Sequence, residues 1–286
     1  MSKYPLTWGL VGCNINYSLS PLIHNFFAKS CGFSAKYKIY DMPLEKFIQE
    51  LFCRNINSIV GFNITTPYKK EILKFFPSDN SSVNTIYRRS TSLVSCSTDI
   101  SGFTKGLQRT LGYDLLSFKK ITILGSGGSC CAFLDYLQQK HYKNPIVILR
   151  RSPWQDAKFK GYSLKLSVGD FTAESLKKHA NSESSSLVIQ ATNAPNCGND
   201  LRHLADFMQG FNGVFCDLVY NNPSFLYKRA QELGIPAIEG TSMLIEQARL
   251  SQMLWWKEAI SYESALQLVE KYKSDVKVQT KKIIRK

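Results

Sequence analysis

Acidic residues are scarce in this chain, 22 Asp and Glu against 36 Lys and Arg, and only four histidines occur. No run of about eighteen apolar residues is present, so no membrane-spanning helix is expected. The opening residues Met1-Ser-Lys-Tyr-Pro5 pass into a strand-like segment without the apolar core of a secretory leader. The eight cysteines form no CxxC pair and have no metal-like spacing with histidine. That pattern argues against a metal site and a disulfide framework, and for a reducing, cytoplasmic setting. The net charge of +14 would permit nucleic-acid binding. Yet the basic residues are spread along the chain and concentrate only at Lys271, Lys273, Lys277, Lys281, Lys282, Arg285 and Lys286. Without the interleaved aromatics of a base-stacking surface, that tail reads as a solvated helix end followed by a frayed terminus, and no nucleic-acid partner is expected.

What is present points to an α/β enzyme. The 286 residues suffice for two modest domains, and 44% apolar with 20% charged content is ordinary for a globular chain. Ile121-Thr-Ile-Leu124 reads as a buried strand. Gly125, Gly127 and Gly128 interrupt it, and from Cys131 the apolar positions (Cys131, Phe133, Leu134, Leu137) return at helical spacing. A strand, a glycine turn and a helix bring backbone N–H groups and the positive helix end to one point, which suits a diphosphate. Gly125 allows the turn, and Gly127 lets a phosphate approach the backbone. The next strand, Pro145-Ile-Val-Ile-Leu149, ends on Arg150-Arg151-Ser152, where a site selective for NAD would carry a carboxylate. Guanidinium groups there match a 2′-phosphate, so the cofactor expected is NADP(H).

Strands and helices alternate along the chain. Thr7–Val11 reads as a first strand. A polar loop follows, then a helix opening at Pro21 with Ser20 as its N-cap. A strand over 35–40, a helix over 44–52 and a strand over 59–64 come next, with Thr65–Lys69 opening a helix toward Phe76. A short β region (86–89 and 93–96) leads to a helix from Asp99 to Leu111. Strands are then expected at 121–124, 146–150, 163–166, 187–190, 214–217 and 237–238, with Asn181–Ser186 as a surface loop. Helices over about 242–256 and 262–273 close the chain. The pattern predicts an N-terminal αβα domain with a mostly parallel sheet over 1–103, completed by C-terminal helices within 240–286. A Rossmann-type domain over 104–239 follows. The C-terminal helices are expected to pack back on the first domain and close a hinged cleft, in a monomer or homodimer.

The segments Ser18-Leu-Ser-Pro-Leu-Ile-His-Asn25, Gly61-Phe-Asn-Ile-Thr-Thr-Pro-Tyr-Lys69, Val83-Asn-Thr85, Ser97-Thr-Asp99, Gly125-Ser-Gly-Gly128, Asp217-Leu-Val-Tyr220 and Met243-Leu-Ile-Glu-Gln-Ala248 occur in an order and spacing that resembles the shikimate dehydrogenase family. Similarity runs from about Trp8 to Trp256. The resemblance implies reversible hydride transfer between NADPH and the C3 carbonyl of 3-dehydroshikimate, giving shikimate in aromatic amino-acid biosynthesis. It implies Lys69 and Asp99 as the catalytic pair. Ser18 and Ser20 would bind the substrate carboxylate, with Asn63, Thr65, Asn84, Tyr220 and Gln247 around the ring. Gly125, Ser126, Gly127, Gly128 and Ser129 would take the diphosphate, and Arg150, Arg151 and Ser152 the 2′-phosphate. Ala191, Thr192, Asn193 and Met243 would lie along the nicotinamide end. His24 is expected to pack rather than to catalyse.

The chemistry of the pair stands without the family. Hydride arriving at a ketone builds negative charge on its oxygen, which an ammonium group can stabilise and protonate while a carboxylate orients it. The chain departs from the family at Ser97, Ile100 and Ser242, and the β-branched Ile100 beside Asp99 could shift the start of that helix. Two alternatives stay open: a dehydrogenase that also takes quinate or NAD, and a non-catalytic NADP-binding sensor of the same fold.

Overall fold

The structure, a computed structural model, describes residues 6–151, 159–180 and 185–284, with side chains up to residue 276. It divides into two compact units. The first comprises Met1–Gly102 with Leu244–Lys286, and the second Phe103–Met243.

The first unit holds a five-stranded sheet in the order β2-β1-β3-β4-β5. Its strands are β1 (Thr7–Gly12), β2 (Lys38–Asp41), β3 (Ile59–Ile64), β4 (Thr85–Arg89) and β5 (Ser92–Cys96). The first three are parallel, and β4 and β5 add as an antiparallel hairpin. Helices α1 (Ser20–Ser30) and α2 (Leu44–Phe52) supply the crossovers. In α2 the apolar positions Leu44, Phe47, Ile48 and Leu51 recur at helical spacing, and all four are buried on one side of the sheet with Val11, Phe62 and Ile86. The C-terminal helices α7 (Thr241–Trp256) and α8 (Tyr262–Ile284) follow, and α8 packs on α1. The backbone of α8 continues in helix to Ile284, past the residue-273 end expected from the sequence.

A buried aromatic cluster ties α1 and α7 to the sheet. Trp8 meets Tyr37 and Trp255 edge-on, at ring separations of 5.1 and 5.6 Å. His24 is fully buried and stacks on Tyr37 at 4.4 Å. Gln252 accepts from the Ile260 amide through Oε1, so its Nε2 faces His24 Nδ1 at 3.2 Å. Nδ1 must then accept, which fixes the neutral Nε2–H tautomer. The packing role expected for His24 is the one observed.

The second unit holds a six-stranded, wholly parallel sheet in the order β11-β10-β9-β6-β7-β8. Its strands are β6 (Lys120–Leu124), β7 (Ile146–Arg150), β8 (Leu166–Asp170), β9 (Ser186–Gln190), β10 (Val214–Asp217) and β11 (Ala237–Ile238). Numbered within the unit, that order is 3-2-1-4-5-6, the doubly wound arrangement of dinucleotide-binding domains. Strands buried on both faces should be continuously apolar, and Ile121, Ile123, Ile146–Leu149 and Leu187–Ile189 are all at most 2% exposed. Helix α3 (Asp99–Leu111) spans the boundary between the units; α4 (Gly128–Gln139), α5 (Ala173–His179) and α6 (Phe225–Glu232) lie within the second.

Several expectations are corrected. Ser20 is the first residue of α1, with Leu19 at the cap position, and the Ser20 amide donates to Ser18 Oγ at 3.2 Å. Thr65–Lys69 opens no α-helix; it forms a turn, and only a short 3-10 segment, Glu71–Lys74, follows. The strand expected at 163–166 lies at Leu166–Asp170, and the one at 35–40 lies at Lys38–Asp41. Helix α3 begins at Asp99 with Ile100 buried in it, so the β-branched side chain does not displace the start. Most of the expected 181–186 loop lies outside the described residues, and Ser186 begins β9.

Burial lowers the His24 imidazole from 6.5 to about 3. Between these values the unfolded chain binds a proton that the folded chain does not, so stability falls as pH drops from 6.5 toward 3. Denaturant midpoints measured across that range should decline, and His24→Gln should flatten the decline. Equal slopes in both proteins would remove His24 as the cause.

Candidate active site

The loop after β3 is folded by backbone hydrogen bonds. The Thr65 amide donates to Val11 O at 2.9 Å, Tyr68 to Thr65 O at 2.9 Å, and Val83 to Lys69 O at 2.9 Å. The Thr66–Pro67 peptide within it is cis. The Cys13 amide donates to Thr66 O at 3.1 Å, which brings the β1 loop, and with it Ser18 and Ser20, toward the Thr65–Lys69 turn. Asp41 shapes that β1 loop by accepting from the amides of Asn14 and Ile15 at 2.8 and 3.1 Å.

Lys69 and Asp99 meet here. Lys69 Nζ lies 2.6 Å from Asp99 Oδ2, with side chains 18% and 7% exposed. Asp99 Oδ1 accepts from Asn84 Nδ2 at 2.9 Å. The same Nδ2 reaches Gln247 Oε1 at 3.3 Å and Thr98 Oγ1 at 3.0 Å, and Asn84 Oδ1 accepts from the Thr98 amide at 2.8 Å. Behind it, Asn63 donates to Asn84 O, Thr85 Oγ1 and Ser251 Oγ, and its Oδ1 accepts from the Tyr37 hydroxyl at 2.8 Å. Gln247 Nε2 is held by Leu244 O at 2.9 Å. Asn63, Asn84 and Asp99 are at most 5% exposed and Gln247 is 9% exposed, so this is a buried polar network whose members satisfy one another. Burial and the nearby Asp99 charge push the Cys96 thiol up to about 11, leaving it neutral beside the pair.

Thus Lys69, Asp99, Asn84, Asn63 and Gln247 are joined in one network, and Thr65 sits in its loop. The amide of Asn63 is engaged by four protein groups. Sequence reasoning missed Tyr37, Thr85, Thr98 and Ser251, which complete the network. Thr85 and Thr98, inside family-like segments, carried a signal; Tyr37 and Ser251 carried none. Of the departures, the Ser242 hydroxyl is accommodated, 3.0 Å from that of Thr110, whereas the buried Ser97 Oγ has no hydrogen-bond partner among the described residues.

In the second unit, β6 and β9 are neighbours where the strand order reverses, the position at which such sheets take ligands. Gly125 follows β6 at φ +108°, and a Cβ there would lie 2.8 Å from Thr192 Cγ2, so glycine is required for both reasons. A Cβ on Gly127, the cap of α4, would meet nothing within 4 Å. Packing therefore does not demand glycine there, and the open backbone fits a diphosphate at the helix end, with Gly128 and Ser129 in the first turn and Ser126 before it. Arg150 ends β7 with its Nε buried and without a hydrogen-bond partner among the described residues, as a group awaiting an anion would be. Arg151 beside it is exposed, and Ser152 lies outside the described residues. Ala191 follows β9, donating to Leu124 O at 2.9 Å, with Thr192 and Asn193 next. Met243 lies in the first turn of α7, and Tyr220 is half-buried in the loop after β10.

A shikimate dehydrogenase (NADP(+)) of Clostridium botulinum is 33% identical over 263 residues, covering 87% of this chain and 96% of its own length. The chain belongs to the shikimate dehydrogenase family. The family described as the shikimate dehydrogenase substrate binding domain matches residues 10–86. Two solved structures share the fold. The Listeria monocytogenes shikimate 5-dehydrogenase in complex with shikimate and NAD has a TM-score of 0.79 at 21% identity, covering 94% of this chain and 98% of that one. The Thermus thermophilus enzyme in complex with NADP(H) and shikimate has a TM-score of 0.74 at 23% identity, covering 93% and 99%. Among the described residues, no helix is long and apolar enough to cross a membrane.

The network makes Asn84 a structural keystone as well as a family residue. Asn84→Leu strands the Thr98 amide and one Asp99 oxygen in a buried site, and should cost at least about 2 kcal/mol. Urea denaturation measures this; a loss under about 0.5 kcal/mol would mean that the buried groups find other partners.

Proposed function

We propose that this chain catalyses the reversible, NADP(H)-dependent reduction of 3-dehydroshikimate to shikimate, with Lys69 and Asp99 as the proton-handling pair. The observation that carries the reading is the 2.6 Å contact between Lys69 Nζ and Asp99 Oδ2, fixed from behind by Asn84, in a chain of this family. The first unit, closed by its C-terminal helices, is read as the substrate-binding and catalytic domain. The second, a Rossmann sheet with an open glycine turn, is read as the NADP-binding domain.

When bound, NADPH supplies hydride to the substrate's C3 carbonyl carbon. The residues do the rest. An ammonium group has three donors, and Lys69 directs one to Asp99, leaving others for the ketone oxygen as it becomes negative. Lys69 stabilises that charge and delivers the proton that completes the hydroxyl. In the opposite direction the pair takes the proton as the hydride leaves. Asp99 cannot turn freely, because Asn84 holds its second oxygen. Ser18 and Ser20 are read as binding the substrate carboxylate, with Asn63, Thr65, Asn84 and Gln247 as ring contacts; Tyr220 is read as a further substrate contact and Met243 as a nicotinamide contact. Arg150 and Arg151 recognise the 2′-phosphate, for which the unpartnered Arg150 Nε is the support. The eight free cysteines suit the reducing cytoplasm. The partners are small molecules, with no nucleic acid, and the protein is a monomer or homodimer.

Lys69→Ala should lower kcat by about 10²- to 10⁴-fold while NADPH binding, followed by fluorescence, is retained. Turnover within a few-fold of the parent would defeat the assignment. Arg150→Gln should reduce the preference for NADP over NAD by about tenfold or more in kcat/KM, one charge-assisted contact being lost. An unchanged ratio would place the 2′-phosphate elsewhere.

A further inference from the structure

Two buried side chains behind the cofactor turn have no part in the reading above. Gln190 is the last residue of β9 and Asp217 the last of β10; they are register partners, 0% and 1% exposed. Gln190 Oε1 accepts from the amide of Thr192 and, at 2.8 Å, from its hydroxyl, and Gln190 Nε2 donates to Thr192 O at 3.1 Å. The same Nε2 donates to Asp217 Oδ1 at 3.2 Å. Asp217 Oδ1 also accepts from the Val219 amide at 2.9 Å, and Oδ2 from the Ser224 amide at 2.7 Å. Ser224 in turn caps α6. One carboxylate thus closes the 217–224 loop that carries Tyr220, and one carboxamide joins that loop to the 190–193 turn.

A carboxylate is a costly choice here. Burial pushes the Asp217 carboxyl up against hydrogen bonds that hold it down, and its donors, the Ser224 hydroxyl, the Val219 and Ser224 amides and the Gln190 carboxamide, are all neutral. An asparagine would satisfy one side of the site and set a donor against a donor on the other. Only a carboxylate accepts from both ends of the loop at once, so the loop's shape demands it.

We propose that Asp217 is a positioning residue for substrate binding: with Gln190 it braces the Tyr220 loop and the Thr192 turn as one unit, and acts on the substrate through Tyr220. This rests on the reading of Tyr220 as a substrate contact. None of the brace's hydrogen bonds involves Lys69, so loss of its Tyr220 arm should appear in the KM for shikimate with kcat nearly unchanged, and NADPH affinity reports on its Thr192 arm.

The test is a double-mutant cycle on the full-length protein, with shikimate and NADP, rates expressed per folded molecule from thermal melts, and NADPH affinity measured alongside. Tyr220→Phe should raise the KM for shikimate about tenfold. Asp217→Asn should raise it by a similar factor, with kcat within about twofold, and the double variant should be no worse than the poorer single one. Two results overturn the proposal: a lower melting temperature with an unchanged KM, or additive effects of the two substitutions. Tyr220→Phe with an unchanged KM would sink the reading of Tyr220 itself, and the proposal with it. If Asp217→Asn does not fold, Gln190→Leu, which leaves both backbone amides on Asp217, takes its place in the same cycle.

Discussion

The polar interior of the first unit depends on one carboxamide. A carboxylate 7% exposed, paired to an ammonium 18% exposed, is expensive to desolvate, and such a pair is stable only when its remaining lone pairs find donors. Asn84 supplies the donor to Asp99, and its own oxygen is held by the Thr98 amide one residue earlier. Asn63, Thr85 and Ser251 then anchor the Asn84 region from β3, β4 and α7. Removing the keystone would strand several groups at once, which is why the network is better regarded as one object than as a set of contacts.

The second unit solves a similar problem by similar means. Loops at the carboxyl ends of parallel strands must present backbone to a ligand, so they cannot be tied down by a further strand. Here an aspartate at the end of a strand gathers the amides of the loop that follows or faces it. Asp217 gathers those of Val219 and Ser224. In the first unit Asp41, at the end of β2, gathers those of Asn14 and Ile15. Side-chain acceptors thereby give loops a shape that propensity alone would leave open.

Much of the fold was legible because its elements have strong local signatures. The glycine turn after Ile121–Leu124, the apolar stripe of α2 and the extent of α3 follow from periodicity and turn chemistry. The errors lie where tertiary contacts overrule local preference. Pro21 as a first helical position suggested Ser20 as cap, yet the helix begins at Ser20 and the Ser20 amide donates to Ser18 Oγ, after a turn in which the Ser18 amide donates to Ile15 O. The Thr65–Lys69 segment has helix-like residues, but its amides and carbonyls are claimed by Val11, Cys13 and Val83, which leaves only turns.

The sequence by itself determined the alternation of strands and helices, the two-domain α/β class and the residue types for phosphate and ketone chemistry, because these depend on spacing and side-chain identity. Which of those residues share a site was decided by tertiary structure. Lys69 and Asp99 are thirty residues apart, and Asn84 and Gln247 are 163 apart; only the pairing of β3 with β4, and the return of α7 to the first unit, bring them within hydrogen-bond reach. Gln190 was silent in one dimension, and Asp217, although it opens a family-like segment, showed no link to it. A polar residue at the end of an apolar strand gives no sign of its partner until the register of the sheet sets the two side by side.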